Sequence, residues 1–240
     1  ESNPVPPLNL VGDFGGGGMF LAFGMVCALL EAARSGRGQV IDAAMVDGVS
    51  TLMAMIHGLL AQGLWRDERA ANFLDTACHY YDTYECADGK FVAVGAIEPK
   101  FYKNLLQALD LADDPQAASQ LEPADWPALK EKFAAIFRTR SRNEWCKILE
   151  GYDACFSPVL SLEEAYEHPH IKARGTFLYE KDLIQPAPAP RFSRTPAQVQ
   201  GPPVVPGSHT IQTLTDWGFK AEKVQHLLTK GAVLQWQKDS

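Results

Sequence analysis

A run of four glycines, residues 15–18, follows one carboxylate, Asp13, and leads directly into a long apolar stretch. Glycine has no Cβ, so such a run lets the backbone approach a ligand or another segment closely. The apolar stretch predicts a helix from Gly17 to Arg34, whose first N–H groups would face whatever the glycine turn holds. Asp13 would then face a ligand at this helix start, or it would only cap the helix. Spacing alone does not separate the two interpretations.

The next segment predicts a short strand over 39–43 and a second helix from Met45 to about Gly63. Both helices are apolar around much of their circumference, which is typical of helices that lie between layers. We therefore expect them to be buried against an α/β portion outside this sequence and against another subunit.

From residue 81 the hydrophobic pattern changes. Two strand-like runs flank 87–89, Ala-Asp-Gly, which predicts a β-hairpin. Glu98 and Pro99 predict the start of a helix that runs through Leu109, with Glu98 at the cap position. A further helix is predicted at Trp126, and 141–144 predict a capping box. Together these elements predict a small α+β domain over 81–180.

The remaining sequence, 181–240, begins with a proline-rich strap and ends in two short amphipathic helices, predicted over 210–217 and 220–229. Proline-rich segments are semi-rigid rather than flexible. His209, just before the first of these helices, is interpreted as a turn or capping residue.

Composition excludes several functional classes. A chain of 240 residues with 46% hydrophobic and 21% charged residues is typical of a folded globular protein. Its net charge of −7 argues against a nucleic-acid partner. The five cysteines are scattered, so they indicate neither a disulfide framework nor a metal site, and a reducing, cytoplasmic compartment is expected. The longest apolar run, 19–30, is too short to span a bilayer, so no membrane partner is expected.

Several segments together carry a family resemblance. Residues 8–18 resemble the corresponding stretch of the family III CoA-transferase superfamily, most closely its α-methylacyl-CoA racemase branch. Further segments agree in the same order, namely 36–48, 72–75, 80–84, 87–102, 153–160 and 207–210. The resemblance implies a mixed α/β fold, the family III CoA-transferase fold in partial form. Residues 1–80 would be the helical part of its large domain, 81–180 its small α+β domain, and 181–240 a strap and helices returning to the large domain.

The resemblance also implies two catalytic bases. Asp13 would be one of them, and the other would be a histidine in a Gly-His-Asp-Ile-Asn-Tyr-like motif upstream of the glycine run. This sequence contains no such motif, so we expect the chain to be the C-terminal part of a longer protein. Glu98 would hydrogen-bond the histidine, fixing its tautomer and raising its basicity. From its position alone, Glu98 is better explained as a helix cap, and only the resemblance reverses that preference.

Other site residues follow from the resemblance. Substrate contacts are expected from the following residues: Gly15, Gly16, Met45, Asp47, Leu74 and Tyr81. For Met45, Asp47, Leu74 and Tyr81, core packing or capping is an equally good explanation. One segment departs from the family pattern, because Asp75 is followed by Thr-Ala-Cys-His where relatives usually have Gly-Gly-Ala-Pro. His79 in this segment invites the idea of a substitute base, but a loop replacement seldom places an imidazole within reach of a substrate proton.

Three functions remain open. The first is racemisation of a 2-methylacyl-CoA thioester, an isomerase reaction of lipid and fatty acid metabolism, with Asp13 as a general base. The second is CoA transfer, with Asp13 as a nucleophile. The third is a non-catalytic fragment whose apolar helices need a partner. No cofactor is expected besides CoA within the acyl-CoA substrate, and the expected assembly is an interlocked homodimer or complementation by a missing N-terminal segment.

Overall fold

The computed structural model describes residues 3–180 and 183–237. The chain forms two compact units, residues 1–159 and 160–240. The domain boundaries predicted at 80/81 and 180/181 stay predictions.

The first unit begins with helices. A π-helix spans Leu10–Met19 and continues directly into α1, Phe20–Ser35. The predicted helix start at Gly17 is therefore wrong, because the glycine run lies inside the helix. The predicted strand at 39–43 is also wrong, since those residues form neither strand nor helix. The predicted second helix is two helices, α2, Met45–Leu52, and α3, Ala54–Ala61, which meet at Met53.

A close contact between two glycines explains why the glycine run is helical. Gly16 in the π-helix is buried against Gly48 in α2, and a Cβ added to Gly48 would lie 1.9 Å from the Gly16 carbonyl oxygen. Glycine disfavours helices by about 1 kcal/mol relative to alanine. Here its missing side chain allows the two backbones to touch, so tertiary packing outweighs the local preference.

The second half of the first unit is a small α+β assembly. Strands β1, Tyr81–Glu85, and β2, Phe91–Gly95, form the predicted hairpin, and Gly89 in its turn has a φ of +71°. β2 also pairs antiparallel with β3, Phe156–Pro158, so β2 is the central strand. One face of the sheet packs on three helices: α4, Pro99–Ala108, α5, Trp126–Phe137, and α6, Arg142–Leu149.

Local sequence signals correctly predicted where these helices begin. Helix α4 begins at Pro99, and α5 begins at Trp126, as predicted. The predicted capping box is confirmed: the Ser141 N–H donates to the Glu144 carboxylate at 2.9 Å, and the Ser141 hydroxyl accepts from the Glu144 N–H. The hydrophobic core of this half is built from large buried side chains: Tyr80, Tyr84, Leu105, Leu129, Phe133, Phe137 and Trp145.

The second unit contains short elements. Helices α7, Leu162–Glu167, and α8, Pro169–Arg174, precede a two-stranded sheet of β4, Phe177–Glu180, and β5, Leu183–Pro186. After β5, residues 187–206 form neither helix nor strand. The two C-terminal helices are confirmed as α9, Thr210–Asp216, and α10, Ala221–Thr229.

The N-terminal helices expose most of their apolar surface. Helix α1 has no buried residue, although its sequence predicts a buried helix. The covering layers that we expect are therefore not supplied by the described residues. By length and composition alone, the continuous helix over Leu10–Ser35 could cross a membrane. Core helices and signal sequences have the same properties, so no membrane assignment follows.

Candidate active site

Asp13 lies in the first turn of the π-helix, and its side chain is exposed. Among the described residues, its carboxylate has no hydrogen-bond or ion-pair partner. Negative charge is favoured at this end of a helix. Because no other group among the described residues binds it, the carboxylate is available to accept a proton or to attack a ligand.

The N–H groups available near Asp13 differ from those predicted. A π-helix pairs each N–H with the carbonyl five residues earlier, as seen where the Phe14 N–H donates to the Asn9 carbonyl at 3.1 Å. The N–H groups of the glycine run, 15–18, are thus used within the helix. The groups without a helical partner are those of the first turn, 11–13. Any oxyanion donors of this helix must come from there.

Four other predicted site residues, Gly15, Gly16, Met45 and Asp47, lie in the glycine run or on α2 beside it. A Cβ on Gly17 would lie 3.0 Å from Met45 Cγ, and one on Gly15 would lie 3.5 Å from Leu52 Cδ1. Gly16 is packed against Gly48 and Val49, so the space beside it is filled by α2. Asp47 is exposed on α2.

A second group of predicted residues lies on the small sheet. The sheet face opposite the core lines a groove of about 360 Å³, whose walls include Tyr81, Ala93, Gly95, Cys155 and Ser157. Tyr81 is paired with Gly95 across the two strands, which places its ring over a residue without a side chain. Apolar lining and an open side make this groove suitable for part of an acyl chain.

Glu98 lies at the N-cap of α4, three residues after Gly95, which lines this groove. Its carboxylate is exposed and makes no capping hydrogen bond, and no other partner exists for it among the described residues. Capping therefore does not account for this side chain. Partial desolvation by the surrounding protein, and then the negative charges of Glu98 and Asp153, raise the pKa of the exposed Cys155 thiol. Glu98 is thus close enough to Cys155 for its charge to act on the groove wall.

The loop with Leu74 is fixed by the carboxylate of Asp75. That group accepts from the Asn72 N–H at 2.6 Å and from the Asn72 side-chain amide at 2.8 Å. Lys130 on α5 then joins the loop to β1, because its amine contacts the Thr76 carbonyl and lies 2.6 Å from the Asp82 carboxylate. Leu74 itself is half-buried.

Thr76 has a φ of +74°. The family resemblance implies the first glycine of Gly-Gly-Ala-Pro at this position. A β-branched residue is strained in that region, whereas glycine adopts it readily, so Thr76 has a backbone conformation that suits glycine better than threonine.

His79 does not act as a substitute base. It is fully buried, and its Nε2 lies 2.7 Å from the Tyr102 hydroxyl, which itself donates to the Ala117 carbonyl at 2.7 Å. Since the hydroxyl proton is used there, Nε2 must carry the imidazole proton and donate it to Tyr102. Burial lowers the pKa of His79 to about 4. The neutral ring is a core group among aromatic side chains.

The predicted site residues thus form two groups. Asp13, the glycines, Met45 and Asp47 lie on the N-terminal helices, whereas Leu74, Tyr81 and Glu98 lie on the small α+β assembly. No hydrogen bond or ion pair joins the two groups within residues 3–180. The same part of the chain, with 183–237, contains no group of three or more metal-binding side chains, and all five cysteines are free thiols.

Sequence reasoning missed Gln120. Its side chain is buried and its Nε2 donates to the carbonyls of Ala96, at 3.1 Å, and Ile97, at 2.8 Å, just before Glu98. A glutamine in an irregular loop gives no periodic or capping signal, so the sequence offered no indication of this contact.

Comparison with known proteins agrees with the resemblance. Residues 1–210 match the family model CoA-transferase family III. The chain is 47% identical over 228 residues to a mouse protein named α-methylacyl-CoA racemase and 43% identical to its human counterpart, in each case over 94% of this chain and 59% of the relative. The chain therefore spans about three fifths of the length of these relatives.

A solved structure supports the same fold. A protein of the CaiB/BaiF family from Brucella suis matches with a TM-score of 0.70 at 19% identity, over 90% of this chain and 57% of that one. The predicted mixed α/β fold is thereby confirmed. The chain, similar over most of its length to α-methylacyl-CoA racemases, belongs to CoA-transferase family III.

Proposed function

We propose that this chain carries part of the active site of a 2-methylacyl-CoA racemase. The observation that best supports the proposal is the 47% identity to a protein of that name over 94% of the chain. Asp13, with its free carboxylate at a helix start, would remove or return the proton at C2 of the acyl group. The substrate would be an acyl-CoA thioester, and no metal or redox cofactor is needed for this proton transfer.

Inversion at C2 needs a second acid/base group on the opposite face of the carbon. By resemblance this group is a histidine whose motif the sequence lacks, and buried His79 cannot replace it. Glu98 would hydrogen-bond that histidine, and its free carboxylate suits this role. The enolate oxygen needs preorganised donors, for which N–H groups 11–13 are candidates. We further propose a cytoplasmic homodimer, or complementation by a segment bearing the histidine.

CoA transfer is the second candidate, because the matching family model describes CoA-transferases. In that reaction the Asp13 carboxylate would attack the thioester carbonyl, forming an acyl-aspartyl anhydride and releasing the CoA thiolate. The free, exposed carboxylate of Asp13 is compatible with either role. A purely structural role is the third candidate, which the exposed apolar surface of α1 favours.

Deuterium incorporation at C2 of a 2-methylacyl-CoA in heavy water tests the proposal. We expect incorporation that Asp13→Asn lowers by about 100-fold or more, with Asp67→Asn in an exposed linker as the matched control. Inversion should accompany exchange only when a polypeptide with the histidine motif is present. A hydroxylamine-trapped Asp13 without C2 exchange would support CoA transfer instead. Failure of both reactions with the histidine polypeptide present would leave the structural role.

A further inference from the structure

The position of the Glu98 carboxylate is not set by its own helix. Glu98 makes no capping bond, and the next residue, Pro99, has no N–H to offer. The position of its side chain therefore depends on the backbone conformation of the turn over residues 95–98. Whatever fixes this turn also fixes Glu98.

The turn is held from two sides. On the strand side, the Gly95 N–H donates to the Cys155 carbonyl at 2.9 Å, and the Ala96 N–H donates to the Tyr80 carbonyl at 3.0 Å. On the other side, the carbonyls of Ala96 and Ile97 both accept from the Gln120 side chain. A primary amide has two N–H groups. Both N–H groups of the Gln120 side chain therefore donate to this one turn.

Gln120 is itself anchored. The indole N–H of Trp126, the first residue of α5, donates to the main-chain carbonyl of Gln120 at 2.9 Å. Gln120 is only 8% exposed. Removing the amide would leave the Ala96 and Ile97 carbonyls without these donors, which is costly in a buried place. The turn would then be free to rearrange.

We propose that Gln120 is the positioning residue for Glu98, fixing the turn from which its carboxylate is presented beside the groove. The proposal concerns where Glu98 lies; that Glu98 takes part in catalysis rests on the proposed function. Gln120 makes no hydrogen bond to the Glu98 carboxylate, so it acts through the backbone of residues 96 and 97.

The Cys155 thiol provides a readout that does not depend on catalysis. It is exposed, lines the groove, and feels the charge of Glu98. Alkylation by iodoacetamide requires the thiolate, so the pH dependence of alkylation at Cys155, followed by peptide mass spectrometry, measures its pKa. Trypsin places Cys155 in a peptide, 148–172, that contains no other cysteine, so its alkylation is followed separately from that of the other four thiols.

Three variants make the test specific. Glu98→Gln removes the charge and should lower the Cys155 pKa, so that alkylation below the pKa becomes about twofold to threefold faster. Gln120→Met removes the two donors without adding charge and should produce a similar shift by releasing the turn. Gln107→Met, an exposed glutamine on α4, should leave the profile unchanged. The Glu98→Gln, Gln120→Met double variant should shift it no further than Glu98→Gln alone.

An unchanged Cys155 profile in folded Gln120→Met, alongside a shift in Glu98→Gln, would overturn the proposal. If Gln120→Met is unfolded by circular dichroism, Gln120→Asn, whose amide is too short to reach both carbonyls, takes its place. Amide hydrogen exchange at residues 95–98 is a second measure, and unaltered protection in either variant would also overturn the proposal. None of these outcomes bears on racemisation, which the C2 exchange experiment tests independently.

Discussion

At the scale of single residues, His79 links stability to pH. Its folded pKa, lowered by burial to about 4, lies below the ordinary histidine pKa of 6.5. The unfolded chain therefore binds a proton more readily than the folded one, and acid favours unfolding. Stability from this residue is fully present above pH 6.5 and is lost as the pH falls towards 4.

We expect the free energy of unfolding to drop by about 3 kcal/mol between pH 7 and pH 4 on account of His79. Urea unfolding monitored by circular dichroism at a series of pH values measures this. His79→Gln keeps a donor for Tyr102 but does not titrate, so its stability should fall less over the same window. Equal acid sensitivity in the two proteins would mean that other groups are responsible.

Thr76 offers a second prediction at this scale. Its φ of +74° costs a side-chain-bearing residue about 1–2 kcal/mol, and glycine relieves the strain at some cost in unfolded-state entropy. Thr76→Gly should therefore stabilise the chain by about 0.5–1 kcal/mol. Thr83→Gly, in the middle of β1, is the control and should destabilise it. A lower melting temperature for Thr76→Gly would show that the threonine side chain makes a compensating contact.

At the scale of elements, the sequence correctly predicted the turns and helix starts that depend on residues close together in the chain. The hairpin at 87–89 and the capping box at 141–144 are set by neighbouring residues, and both are confirmed. The π-helix was missed because its glycine contact involves residues distant in sequence, Gly16 and Gly48. The same reason applies to the 2.9 Å hydrogen bond between the Gly95 N–H and the Cys155 carbonyl, which continues the pairing of β2 with β3.

The Gly16–Gly48 contact gives the prediction for this scale. A Cβ on Gly48 would overlap the Gly16 carbonyl, so Gly48→Ala must separate α2 from the π-helix. Overpacking of this kind costs about 1–3 kcal/mol, and hydrogen exchange in peptides from residues 10–52 should accelerate. Gly58→Ala, on α3 with open space around it, should be neutral or stabilising. Similar exchange rates in the two variants would mean that the helices do not depend on this contact.

At the scale of the whole molecule, the N-terminal helices present apolar side chains that nothing in the described residues covers. Phe23 is 71% exposed, and Leu29 is 69% exposed. Contiguous apolar surface of this kind marks a site of protein association. The relatives are longer than this chain, so either a further segment or a second copy could cover the surface.

We expect the chain alone to self-associate through this surface. Multi-angle light scattering at micromolar concentration should give a mass above that of one chain, and Phe23→Glu with Leu29→Glu should reduce the mass towards that of a monomer, because buried charge opposes association. Leu162→Glu, at a residue 78% exposed in the second unit, should leave the mass unchanged. If the unsubstituted chain is a monomer, its apolar helices remain stable while exposed to solvent. That result would remove the main support for a purely structural role.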